Sequence, residues 1–244
     1  MTRTSLKNEI EPHNFFYLAG AINSAEVYEK IAQERDWPFR VSVMGANTFE
    51  YYTQQYAHPF KLIGDYEVKL KEKKFLCFNK VNREHRIRLL EMALANDIVN
   101  DGFYSFEGDE QWRDLIPLLP EEFPNIKKNR DIFPLRLNIT ENRTNPVNII
   151  PDDLHYHRES YFSIVTETLF YNRYAPDQWH RPFVEDSMFL SEKTYRCFAL
   201  LHPFILMGRP HSLVELRKQG YKTFSPFIDE SYDEEEDLEV GEEP

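Results

Sequence analysis

The sequence predicts an α/β fold in which parallel strands are joined by crossover helices, and three stretches carry that expectation. The first, residues 161–224, runs YFSIVTET and then, after a polar insert, FLSEKTYRCFALLHPFILMGRPHSLVELRKQGYKTF. An apolar run ends in Glu167-Thr168, and Ser191-Glu192-Lys193 opens a helical pattern. His202-Pro203 leads into a second apolar run over 204–207, closed by Gly208 and followed by a second helix and a short strand at 221–224. Such alternation of strands and helices is what a parallel sheet with crossovers requires. The second stretch begins at Phe75. FLCFN (75–79) has the pattern of a buried strand, 83–96 that of a helix with Ile87, Leu90 and Leu94 inward, and 103–106 that of a strand after an Asp101-Gly102 turn. The third is the N-terminal part, which repeats the order on a smaller scale.

In that part, 15–19 is a strand candidate, and Asn23 with Glu26 forms a capping box for a helix with Val27, Tyr28, Ile31 and Ala32 on one face. Residues 39–44 alternate and end in Gly45, and Asn47 is placed to cap an aromatic-rich helix over 49–56. The charged stretch 66–74 reads as a crossing loop or linker. Between Gly108 and Asp153, Pro, Asn and charge predict loops and short helices, with a strand at 135–139. Ser212 and Glu215 make another capping box, and Gly220 stands where a left-handed C-terminal glycine belongs. The boundaries that follow are 1–70 for an N-terminal α/β lobe, 71–228 for a Rossmann-like domain, and 229–244 for an acidic tail.

Composition narrows the function classes. At 244 residues with 41% hydrophobic and 15% aromatic content, the chain can build a real core. Only 8 residues are Gly, so a glycine-rich phosphate loop is not the expected binding device. The net charge of −12 belongs mostly to 229–244, which holds ten carboxylates and no Lys or Arg, leaving −2 on the rest. Dense like charge with few apolar groups predicts a disordered tail. A near-neutral body argues against nucleic acid as a partner. Cys77 and Cys197 each lie in an apolar pattern and read as buried reduced thiols. No apolar stretch reaches membrane-spanning length and residues 1–11 lack a signal-peptide core, so a cytoplasmic location is expected. On that expectation the sequons at Asn138 and Asn142 are chance matches.

Two strand-to-helix junctions carry the candidate chemistry. After 75–79, Lys80, Arg83, His85, Arg86 and Arg88 crowd the first turns of a helix. A helix N-terminus carries partial positive charge and prefers anions, so cations there are frustrated unless an anion joins them. Backbone N–H groups with Lys and Arg suit a diphosphate. Alternatively these side chains fan into solvent or pair with Glu84 and Glu91. Lys193 poses the same conflict in the helix that Ser191 caps, while Glu192 suits the dipole and can accept from ribose hydroxyls. A plain surface Glu-Lys pair is the other reading. Glu167 ends its strand on the same side, as a ligand contact or as the partner of a core hydroxyl or buried Arg. His155-Tyr156-His157 with Asp152 and Asp153 could hold a metal, but a polar loop is the expectation, and no Asp-x-Asp motif occurs.

The set formed by a strand ending in Glu, Phe-x-Ser-Glu-Lys opening a helix, and Pro-Phe-Ile-x-x-Gly resembles the donor-nucleotide half of GT-B glycosyltransferases. It is most similar to fucosyltransferase-type proteins, in which Thr-Glu-Lys opens the corresponding helix, and to glycosyltransferases carried by phages and giant viruses. The resemblance spans roughly 75–227, is densest over 189–224 and includes no single diagnostic signature; Ser191 stands where Thr is usual. It implies a donor domain at 71–228 facing a reduced acceptor-side lobe at 1–70, and metal-independent, inverting transfer of a sugar from a nucleotide sugar to a glycan or other hydroxyl. Glu192 would meet the ribose, Lys80, Arg83, Arg86 and Lys193 the diphosphate, and Glu167 the nucleotide or sugar, with Ser191 also in the donor-binding set. No cofactor or metal is implied, and in a viral setting the location is host cytoplasm. The lobe is short for an acceptor domain, which leaves the catalytic base open, with Glu50 and Glu26 as candidates beside strand–helix exits. The competing expectation is a non-catalytic nucleotide- or glycan-binding module on a degenerate GT-B fold.

Overall fold

The computed structural model describes residues 15–37, 40–51, 69–107, 112–137, 154–170 and 187–235. Its N-terminal unit contains β1 (Phe16–Ala19), α1 (Ser24–Glu34) and β2 (Ser42–Gly45), with the two strands parallel and paired from Phe16↔Ser42 to Ala19↔Gly45. Gly45 is required at its position, because a Cβ there would lie 2.1 Å from the Ile22 carbonyl oxygen. Asn47 caps as expected: its Oδ1 accepts the Phe49 and Glu50 N–H groups at 3.0 and 3.3 Å. The rest of that helix, beyond Tyr51, lies outside the described residues, as do Asn138, Asn142, Asp152 and Asp153. The Asn23–Glu26 capping box does not form. Asn23 Oδ1 instead accepts the Met188 N–H at 2.7 Å, tying α1 to a distant segment.

The larger unit holds β3 (Lys73–Asn79), α2 (Glu84–Ala95), β4 (Gly102–Phe106), α3 (Trp112–Leu115), α4 (Pro124–Lys128), α5 (His155–Arg158), β5 (Ser160–Thr166), α6 (Glu192–Ala199), β6 (Phe204–Met207) and α7 (Ser212–Lys218). Its four strands are all parallel in the order β4-β3-β5-β6. This is a Rossmann-like α/β arrangement, as the alternation predicts. β3 starts at Lys73, inside the stretch expected to be a linker, because the Lys73 N–H joins the sheet through the Glu159 carbonyl.

Side chains alternate across the sheet and so build two cores. Phe75 and Cys77 of β3 pack with Leu89, Leu90 and Ala93 of α2 and with Trp112, Ile116 and Phe133. Ile164 joins that face, whereas its neighbour Val165 packs with Tyr195 and Cys197 of α6, Phe204 and Leu206 of β6, and Leu213 and Leu216 of α7. Leu76, Phe103 and Tyr156 form a smaller cluster beneath α5. Both cysteines are buried and free, and burial pushes each thiol up to about 12.

Five expectations need correction. Residues 221–224 are not a strand. The chain leaves α7 through Gly220 (φ 91°) with the Tyr221 N–H on the Leu216 carbonyl, a Schellman ending, and Tyr221 and Phe224 then pack onto the α6–α7 core. Leu135 makes one isolated antiparallel bridge to Phe106 rather than starting a strand. His155–Arg158 is helical rather than a polar loop, because Tyr156 and His157 are buried there. The Ser212–Glu215 box is absent: His211, left-handed at φ 65°, precedes α7, and Asp233 of the acidic tail caps the helix by accepting the Leu213 and Val214 N–H groups at 3.0 and 3.2 Å. The tail is therefore folded through Glu235, with a 3-10 turn at Ser231–Glu234, because one buried carboxylate meets an open helix end.

Candidate functional site

The chain passes from β3 outward to β4 and then returns to the other side of β3 for β5, so the strand order reverses between β3 and β5. In open α/β sheets the crevice at such a reversal, beyond the carboxyl ends of the strands, is where ligands bind. Here its floor is polar and closed by side chains. The Thr166 hydroxyl donates to Asn79 Oδ1 at 2.6 Å, and the Asn79 N–H donates to Ser105 Oγ at 3.1 Å.

From α2, three residues of the predicted basic junction reach across this floor. Arg86, only 3% exposed, donates from Nη2 to the Thr166 carbonyl at 3.1 Å and from Nη1 to the Val81 carbonyl at 3.1 Å, with a longer 3.5 Å contact to the Glu167 carbonyl. Arg83 Nη1 donates to the Thr168 carbonyl at 3.1 Å. His85 places Nε2 3.0 Å from the Glu167 carbonyl, which fixes the tautomer with the proton on Nε2 and a lone pair on Nδ1. Its ring stacks on Phe170 at 5.0 Å. Burial first, then the charges of Arg86, Arg83 and Lys193, push the imidazole down to about 3, so it is neutral. Burial and then Arg83 lower Arg86 to about 10. The junction's cations thus meet strand-end carbonyls, a resolution of the dipole conflict that needs no anion at Arg86. Arg88 pairs with Glu84 and Glu122, away from the crevice floor.

From the other side, α6 begins where Ser191 caps it, as expected, with Ser191 Oγ accepting the Lys193 N–H. Glu167 is 0% exposed and both carboxylate oxygens are engaged. Oε1 accepts the Ser191 N–H at 2.9 Å and the Thr194 hydroxyl at 2.6 Å; Oε2 accepts the Thr168 N–H at 3.2 Å. Lys193 Nζ stands 3.9 Å from Oε2, 3.0 Å from Ser191 Oγ and 3.7 Å from Glu192 Oε1. Glu167 is therefore the partner of a core hydroxyl and a helix end, one of its two alternatives, and its buried carboxylate is closed to a nucleotide or sugar. Glu192 and Lys193 remain partly exposed, and Lys80 is exposed at the end of β3.

The N-terminal unit docks on the segment that leads into α6. The Ile22 N–H donates to the Met188 carbonyl at 2.9 Å, Asn47 Nδ2 donates to the Leu190 carbonyl at 2.7 Å, and Phe49 packs edge-on to Phe189. Ile22 and Asn47 follow β1 and β2, so the carboxyl ends of both sheets converge on 187–191. Of the two candidate bases, Glu50 accepts the Tyr221 hydroxyl at 3.2 Å, and Glu26 is exposed on α1. Neither is brought to Lys193 by a described contact.

Sequence reasoning missed Thr194, Thr166 and Asn79 as site-builders and gave His85 no separate role. Only buried polar residues at strand ends and one turn into a helix could have flagged them, a pattern that many cores share. Beside the crevice, under α6, lies a cavity of about 30 Å³ lined by Phe78, Ser163, His157, Lys193 and Arg196, room for about one water. No protein-family model, curated protein or solved structure matches this sequence.

Proposed function

We propose that this chain binds the diphosphate of a nucleotide sugar at the β3–β5 crevice and transfers the sugar to a glycan or other hydroxyl acceptor without a metal. One observation carries the reading: Arg83, Arg86 and Lys193, from the entries to two different helices, converge on the crevice at the strand-order reversal and surround a neutral His85. Against them stand Glu167, buried, and Glu192. With Lys80 at the rim the crevice has surplus positive charge where two helix N-termini also point, the setting that favours phosphate. Partly exposed Lys193 is the group that would stabilise charge growing on the departing diphosphate, and Glu192 beside it would accept ribose hydroxyls. Arg86 would act through its field rather than by contact, since its Nη groups are occupied. Convergence of both sheets on 187–191 supports a GT-B-like cleft, with the acceptor entering from the N-terminal side.

The test is a thermal-shift and calorimetric panel of nucleoside diphosphates and nucleotide sugars. A specific binder at 100 times its Kd adds about 2.7 kcal/mol of stability. Affinity should survive chelator and fall with salt; no binding by any member of the panel would overturn the reading. Lys193→Ala should lower turnover more than donor affinity, because the charge it meets develops in the transition state. The second reading, a non-catalytic nucleotide-binding module, is favoured by the tie between Glu50 and Tyr221, which engages one of the two candidate bases. Donor binding with neither transfer nor donor hydrolysis would select it.

A further inference from the structure

The geometry points to Glu167 as a positioning residue that holds the entry of α6, and with it Lys193, at the crevice without touching the ligand. This rests on the diphosphate reading above. The residue joins both sides of the site. Its peptide carbonyl is taken by His85 and, more distantly, Arg86 from α2, and its carboxylate by the Ser191 N–H and the Thr194 hydroxyl of the α6 entry. Oε2 holds the Thr168 N–H and faces the Lys193 ammonium. A fully buried carboxylate with these partners fixes where the first turn of α6 starts, and Lys193 lies in that turn.

The sign of one substitution separates this role from a role in charge alone. Glu167→Gln removes a negative charge beside Lys193, so a purely electrostatic Glu167 would bind anions more tightly once neutralised. A positioning Glu167 would do the reverse. Whichever way the amide is turned, its NH₂ replaces one acceptor oxygen and faces an N–H, hydroxyl or ammonium donor, so the turn must shift.

The experiment pairs ligand-free amide hydrogen exchange over residues 191–195 with calorimetric titration of nucleoside diphosphate. Glu167→Gln should accelerate exchange in that segment and weaken diphosphate binding by about tenfold, or about 1.4 kcal/mol. Thr194→Val, which removes one bond to Oε1 and leaves every charge in place, should weaken binding about threefold with the same segment loosened, and Thr194→Ser should restore both. The Thr194 pair decides the matter if Glu167→Gln does not fold. Unchanged exchange, or diphosphate binding equal to or tighter than that of the parent protein, would overturn the proposal. If the parent protein binds no nucleoside diphosphate, the functional reading fails by itself, and the exchange arm still decides whether Glu167 holds α6.

Discussion

Two helices enter the same crevice in opposite ways. α2 starts with no side-chain cap, and its first turns send Arg83, His85 and Arg86 outward onto the carbonyls of Thr166, Glu167 and Thr168. α6 starts on a doubly anchored cap, its own N-cap residue Ser191 and the buried carboxylate of Glu167, which directly follows β5. One end is built from cations that cap a strand; the other is built from an anion that caps a helix. Both solve the same problem, orphaned backbone groups at the end of an element, with whichever side chain has the needed sign. The cations of the first are largely spent on the fold, while Lys193 of the second stays partly exposed. Substitutions on the α2 side should therefore fail in folding, and on the proposed function those at Lys193 should fail in chemistry.

The largest expected effect breaks the α2 side. Arg86→Ala removes a buried guanidinium and strands the carbonyls of Val81 and Thr166, which should lower stability by about 3 kcal/mol in urea unfolding. A loss below about 1 kcal/mol would mean that the guanidinium is not the clamp.

Acid should weaken the fold next, at His85 on the α2 side and at His202, whose ring lies 2.9 Å from Ser163 Oγ and 3.1 Å from the Ser160 carbonyl of β5. His85 is held down to about 3 and His202 to about 4, burial being the first cause for each, against about 6.5 in an unfolded chain. Between those values the unfolded state binds protons that the folded state refuses. The stabilisation is thus complete above about pH 6.5 and is lost as pH falls, at up to about 1.4 kcal/mol per pH unit for each histidine. Urea midpoints measured between pH 7 and 4.5 should fall accordingly, and His85→Gln should flatten part of the slope. A flat profile would mean that the histidines titrate normally in the folded protein.

The smallest effect extends the comparison to α7, which copies the α6 device with a carboxylate from the tail. Asp233→Ala should cost about 1 kcal/mol, whereas Asp233→Asn, which keeps an acceptor, should stay within about 0.5 kcal/mol. Truncation after Glu235 should leave the melting temperature unchanged, and truncation after Ile228 should lower it. Equal melting temperatures for the two truncations would show that Asp233 caps nothing of consequence.

The contrast between the helix ends also marks how far the sequence could be read. The crowd of cations at 80–88 and the Ser191-Glu192-Lys193 triplet were visible as anomalies of sign at helix starts, and both junctions do lie at the crevice. What the cations bind was not visible. A sequence shows Arg86 beside its own helix dipole; it does not show the carbonyl of Thr166, eighty residues away, on which the guanidinium lands. Capping boxes failed for the same reason at Asn23 and Ser212. Local spacing proposed a partner three residues on, and a tertiary partner with better geometry, Met188 for the first and Asp233 for the second, took the bonds.

By itself, the sequence determined the α/β class, the positions of the six strands among the described residues within a few residues (beside two it overcalled, at 135–139 and 221–224), the Ser191 and Asn47 caps and the left-handed Gly220, because alternation, helical periodicity and turn chemistry are local properties of the chain. Tertiary structure alone decided the strand order β4-β3-β5-β6 and hence where the crevice lies. It also docked the N-terminal unit on 187–190, drew Asp233 out of an acidic tail, and buried Glu167 as the anchor of α6. Those outcomes depend on which distant polar group can satisfy a buried N–H or C=O at least cost, and that partner is chosen only when the strands and helices pack.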